Sequence, residues 1–148
     1  MPAQPRLNQR LSTLREVRPH RVLIVDDEPA IRQLLADILL SEGYDVCEAD
    51  NGLHALGVMA RERPDAIVVD LMMPVMDGRT FVRNCFMLNL TRPIPTLLMS
   101  ASPALRQHAD QLRAFGVQGW IAKPFDLIRL LEVVAQLTEP AELLATAL

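Results

Sequence analysis

No run of apolar residues in this chain approaches the ~20 needed to cross a bilayer, and the N-terminus lacks the hydrophobic core of a secretory leader. A membrane-spanning or exported chain is therefore not expected, and the reading places the protein in the cytoplasm. Cysteine is scarce. The two present, Cys47 and Cys85, form no CxxC pair and have no histidine cluster beside them, so buried, reduced thiols are expected. Internal repeats and low-complexity tracts are absent as well. The net charge of −3 gives the whole molecule no strong attraction to nucleic acid. Charge is uneven only at the start, where Arg6, Arg10, Arg15, Arg18 and Arg21 face one acid, Glu16. With aromatics at 4%, those arginines have no interleaved rings on which bases stack.

The 148 residues, 50% hydrophobic and 22% charged, suit one domain with a proper core. Residues 1–20 form a basic N-terminal extension in which Leu7, Leu11, Leu14 and Val17 fall at helical spacing. Either a flexible extension or a docking helix fits that pattern. Beyond it, short apolar runs alternate with amphipathic stretches. Strands are predicted over 22–25, 44–49, 66–69, 94–99 and 120–122. The first helix, 28–42, carries Ile31, Leu34, Leu35, Ile38 and Leu39 inward, and the second opens at Asn51-Gly52 with Leu53, Leu56 and Met59 inward. Asp77 caps the third, whose buried side is Phe81, Val82, Cys85 and Phe86. Ser102-Pro103 starts the fourth, which runs through Leu105, Ala109 and Leu112 to Gly116. Asp126 caps the fifth, with Leu127, Leu130, Leu131 and Val134 inward, while Ile128, Val133 and Leu137 widen its apolar coverage. Five strands alternating with five helices predict an α/β fold with a parallel sheet covered on both faces. Asp45 and Glu48 mark the second strand as an edge.

The chemistry sits at strand ends, outside which open α/β sheets bind their ligands. Asp26 and Asp27 follow the first strand and Asp70 the third. Ser100-Ala101 follows the fourth, and Lys123-Pro124-Phe125 the fifth. Carboxylates brought together repel unless a cation joins them, and oxygen ligands near a phosphate suit Mg²⁺. Asp70 is the candidate nucleophile.

Asp26-Asp27, Asp70 with Pro74 and Asp77-Gly78, Ser100-Ala101 and Lys123-Pro124-Phe125 resemble the motif set of bacterial response-regulator receiver domains. The likeness covers 21–137 and leaves 138–148 as a short C-terminal tail. It implies the flavodoxin-like strand order 2-1-3-4-5. It also implies that Asp70 accepts a phosphoryl group from a sensor histidine kinase or phosphotransfer protein. Asp26, Asp27, Asp70 and the backbone oxygen of Met72 are then the Mg²⁺ ligands. Lys123 is the phosphoryl partner, held by a cis bond to Pro124. Ser100 and Ala101 bind the phosphoryl group and switch the following loop. Pro74 and Gly78 are structural. Trp120 stands where the family usually has Tyr or Phe as the aromatic half of the switch. Met72 and Ser102 stand where other receivers carry polar or charged groups that place the hydrolytic water, so a slowly hydrolysed phosphoryl group is expected.

No room for an output domain is expected, so output passes through a protein contact, with an unidentified target or a second copy. The helix begun at Ser102, the Trp120 strand and the last helix offer the surface. Two alternatives stand beside this reading: a phosphorylation-independent interaction module, and an aspartyl-phosphate-forming hydrolase. Asp70-Leu71-Met72 speaks against the second, because it lacks an acid two residues after the nucleophile.

Overall fold

The apolar strands and amphipathic helices assemble into one five-stranded parallel sheet of order β2-β1-β3-β4-β5. This computed structural model describes residues 18–88 and 93–139. The N-terminal stripe of leucines and the 140–148 part of the tail lie outside the described residues. In chain order the elements are β1 (Arg21–Val25), α1 (Pro29–Ser41), β2 (Asp45–Ala49), α2 (Gly52–Glu62), β3 (Ala66–Asp70) and α3 (Gly78–Met87). They continue with β4 (Thr96–Ser100), α4 (Leu105–Gln111), a single 3₁₀ turn (Arg113–Phe115), β5 (Val117–Ala122) and α5 (Leu127–Thr138). Among the described residues no helix is long and apolar enough to cross a membrane.

Side chains alternate across each strand, and the sheet is accordingly sandwiched between two cores. Leu23, Val25, Ile67, Val69 and Leu98 face α2, α3 and α4, where Ala55, Phe81, Val82 and Leu105 meet them. Val22, Ile24, Val68, Leu97 and Met99 face α1 and α5, meeting Leu35, Leu39, Leu130 and Val134. β2 is an edge, as its acids predict. Asp77 and Asp126 cap as expected, accepting from the amides of Thr80 and Ile128 at 2.8 Å each.

Several boundaries and faces differ from the sequence reading. The fourth strand starts at Thr96 rather than at 94, because Pro95 offers no amide to the ladder. The fifth starts at Val117, directly after left-handed Gly116. The fourth helix starts at Leu105, not at Ser102. The Ser102 hydroxyl accepts from Ala104 N at 3.2 Å and its carbonyl from Leu105 N at 3.2 Å, which makes a turn ahead of the helix. Leu34, Leu53 and Phe86 are exposed. Val133 and Leu137 belong to the core, leaving Ile128 outward on α5. Cys47 is buried but Cys85 only half-buried, with Sγ 3.4 Å from Met59 Sδ. Burial pushes the two thiols up to about 11 and about 12.

Arg21 pins the first strand. Its Nε and Nη2 hold Asp45 Oδ2 at 2.8 and 2.7 Å, its Nη1 donates to Glu62 O at 2.8 Å, and its amide donates to Asp65 at 2.7 Å.

The loop from β3 to α3 contains a strained residue. Val75 has φ 67°, with Met76 N donating to Pro74 O at 2.7 Å, the geometry of a γ-turn. A β-branched residue there costs about 1–2 kcal/mol, and Val75, 78% exposed, buries little in return. Val75→Asn is expected to raise the unfolding free energy by about 1 kcal/mol. Denaturant titration checks this, and an unchanged or lowered midpoint contradicts it.

Candidate functional site

Three strand ends deliver the charged groups. Asp26 directly follows β1 and is fully buried. Its amide donates to Ala49 O at 3.2 Å, and its Oδ1 accepts from Glu28 N at 2.9 Å. Asp70 ends β3, also buried, and its Oδ1 accepts from Met72 N at 3.2 Å. Asp27 lies beside them and is exposed, and one carboxylate oxygen from each of the three lies within 4.8 Å of the others.

Lys123, just past β5, reaches back between them. Its Nζ is 2.7 Å from Asp26 Oδ2 and 3.2 Å from Asp70 Oδ2. The backbone holds it there, because Lys123 N donates to Ser100 O at 2.9 Å. It is the only lysine in the chain, the other permanently cationic side chains being arginine. A compact ammonium serves two carboxylates at once where a flat guanidinium needs more room. The Lys123–Pro124 bond is cis, as the resemblance implies.

The shifts follow from this crowding. Burial, then the charge on Asp26, raises the Asp70 pKa above the ordinary carboxylate value, with Lys123 and the Met72 amide opposing. For Lys123, burial is the largest single influence and works to lower its pKa. The hydrogen bond to Asp26 and the charges of Asp26 and Asp70 together outweigh it, so the ammonium stays charged.

Other predicted residues divide into near and far. Ser100, buried at the end of β4, turns its hydroxyl to accept from Ser102 N at 3.0 Å, and Ala101 behind it is exposed. Gly78 N donates to Leu71 O at 3.0 Å, setting α3 against the Asp70 carbonyl. Pro74 lies exposed in the same loop, and the Met72 side chain is 66% exposed. Trp120, on β5, pairs with Leu98 of β4 and is 44% exposed.

Two neighbours escaped the sequence reading as site residues. Glu28 Oε1 approaches Lys123 Nζ to 3.8 Å, and its place in the Asp-Asp-Glu run is the signal that pointed to it. Arg32 Nη1 donates to Asp26 O at 2.7 Å, for which no local signal exists. The donor set is all oxygen, with three carboxylates against one ammonium, and such a hard, anionic cluster fits Mg²⁺.

The response regulator receiver domain family matches residues 22–135. The chain belongs to that family. Receiver domains are signalling domains of two-component response regulators rather than classical enzymes. Among curated relatives, this receiver is 36% identical over 119 residues to the DNA-binding dual master transcriptional regulator RpaA of a Synechocystis strain, covering 79% of this chain and 48% of that protein. It is 39% identical over 112 residues to the response regulator MprA of Mycobacterium leprae, covering 75% and 47%. The chain thus spans about half the length of the curated relatives it matches. Among solved structures, the chemotaxis protein CheY4 of Vibrio cholerae superposes with a TM-score of 0.73 at 34% identity, covering 81% of this chain and 99% of that one. The receiver domain of NtrX from Brucella abortus gives 0.72 at 26% identity, covering 81% and 99%.

Proposed function

We propose that this receiver is a phosphoacceptor, and that Asp70 takes a phosphoryl group from a phosphohistidine of a sensor kinase or phosphotransfer protein in the cytoplasm. The observation that carries the reading is the meeting of three carboxylates from two strand ends with one lysine from a third. An Asp70 oxygen attacks phosphorus while the P–N bond breaks. The donor ring, protonated on its other nitrogen, departs as neutral imidazole and leaves an acyl phosphate. Asp26, Asp27, Asp70 and the Met72 carbonyl are the groups that would hold Mg²⁺, which supplies charge neutralisation between carboxylates and phosphoryl oxygens. Lys123 pairs with a phosphoryl oxygen after transfer, and the Ser100 hydroxyl turns from its loop contact towards the new charge. Output follows through a protein contact, a target or a second copy. The surface for it is the groove along β5, where Asp110, Arg113, Trp120, Arg129 and Gln136 gather.

Intact mass after incubation with Mg²⁺ and acetyl phosphate tests the reading. One phosphoryl group is expected on the wild type and none on Asp70→Asn. Equal gains in the two proteins, or none in either, overturn it. Acetylation of Lys123 is a different mass and is not confused with it.

Hydrolysis of the acyl phosphate is expected to be slow. The Met72 thioether can neither donate nor accept a proton usefully. Decay followed by mass after donor removal should take minutes or longer; a half-life of seconds contradicts the reading.

A further inference from the structure

Asp26 and Asp27 differ in how they are held. The Asp26 carboxylate has Glu28 N and Lys123 Nζ, and its amide has Ala49 O. Among the described residues the Asp27 side chain has no hydrogen-bond partner, so the backbone alone sets its direction. The peptide joining the two residues therefore decides whether the second carboxylate points at the first. One group grips that peptide: Arg32 Nη1 donates to its carbonyl, Asp26 O, at 2.7 Å. The arginine is itself fixed from two sides. Its amide is bonded to Glu28 O at 3.1 Å within the first turn of α1, and its Nε lies 3.9 Å from Glu48 Oε1 on β2.

We propose that Arg32 is a positioning residue for the acidic site. By holding the Asp26 carbonyl between α1 and β2, it fixes the Asp26–Asp27 peptide so that both carboxylates face the same cation. Arg32 touches neither the cation nor the phosphoryl group in this scheme. It acts through the peptide plane, as groups behind metal ligands commonly do. A lysine cannot replace it, because its ammonium ends a bond short of the place from which Arg32 Nη1 reaches the Asp26 carbonyl.

The inference rests on the phosphoacceptor reading, and titration calorimetry with Mg²⁺ alone on the full, unphosphorylated chain separates the two. Mg²⁺ affinity of Arg32→Lys and Arg32→Met is expected to fall about tenfold, with cooperative melting retained in Arg32→Lys. The Asp27 amide resonance should shift in both. Glu48→Gln, which leaves the guanidinium on the carbonyl, should bind Mg²⁺ within about twofold of wild type. A folded Arg32→Lys that also binds within about twofold of wild type overturns the proposal and leaves the phosphoacceptor reading standing. A merely structural arginine gives that result, with a lowered melting point and unchanged affinity. A wild type that binds no Mg²⁺ overturns both.

Discussion

Replacing Gly78 by alanine is expected to destabilise the domain by roughly 3 kcal/mol, near the upper range for overpacking, and to lower phosphoryl uptake with it. A Cβ on Gly78 would run into the carbonyl oxygen of Asp70, well inside van der Waals contact, and would sit 3.0 Å from Leu71 Cα and 3.1 Å from Asp70 C. These are backbone atoms, so no side chain can swing aside. Either α3 lifts away from β3, breaking the Gly78 N to Leu71 O bond of 3.0 Å, or the end of β3 moves. In the second case the Asp70 carboxylate moves with its own backbone, away from Lys123. A melting point lower by about 10 °C is the corresponding thermal change. Calorimetry and the acetyl phosphate mass assay check the two halves separately, and a variant that melts and reacts like wild type would show that the contact is harmless.

Removing the lysine should be as costly while leaving the backbone untouched. Lys123→Met leaves Asp26 and Asp70, both buried, facing each other with the ammonium gone. Breaking a buried pair by deleting one partner costs about 3–5 kcal/mol, a large share of the 5–15 kcal/mol that holds a typical domain together. The loss is expected in metal-free buffer, measured by urea unfolding. Mg²⁺ should then restore more stability to Lys123→Met than it adds to wild type, since the divalent ion no longer competes with an ammonium already in place. Phosphoryl uptake in Mg²⁺ should fall as well, for want of the phosphoryl partner. An equal Mg²⁺ increment in the two proteins would contradict this account of Lys123 as the resident counter-charge.

The positions of the acids were legible because they end apolar runs. Val22–Val25 and Ala66–Val69 read as buried strands, and a carboxylate that stops such a run has to emerge at the sheet's edge. The outward turn of Leu34 and Leu53 was not legible. Spacing tells which residues share a helix face, but α2 packs through Ala55 and Val58 beside Met59, and small residues are passed over in a search for large ones. Ser102 misled for a local reason. A serine before a proline reads as a helix cap, yet its hydroxyl reached only as far as Ala104 N and closed a turn instead. Trp120 was undecidable on its own because β5 is an edge, where a large ring can rest outside the sheet at little cost. Arg32 escaped because its partner, the Asp26 carbonyl, is a backbone atom that carries no mark in a sequence.

The counter-charge of the acidic site hangs from an edge strand. β5 hydrogen-bonds to β4 alone, and the amide of Lys123 is bonded to Ser100 O beyond its end. Strand edges open locally at far lower free energy than the centre of a sheet. Fraying of β5 therefore withdraws the ammonium from between Asp26 and Asp70 while β1 and β3 still hold the two carboxylates in place. Opening of the site would then be governed by one border of the sheet rather than by unfolding of the domain. With a single lysine in the chain, acylation of the internal amine reads how often that ammonium leaves its carboxylates.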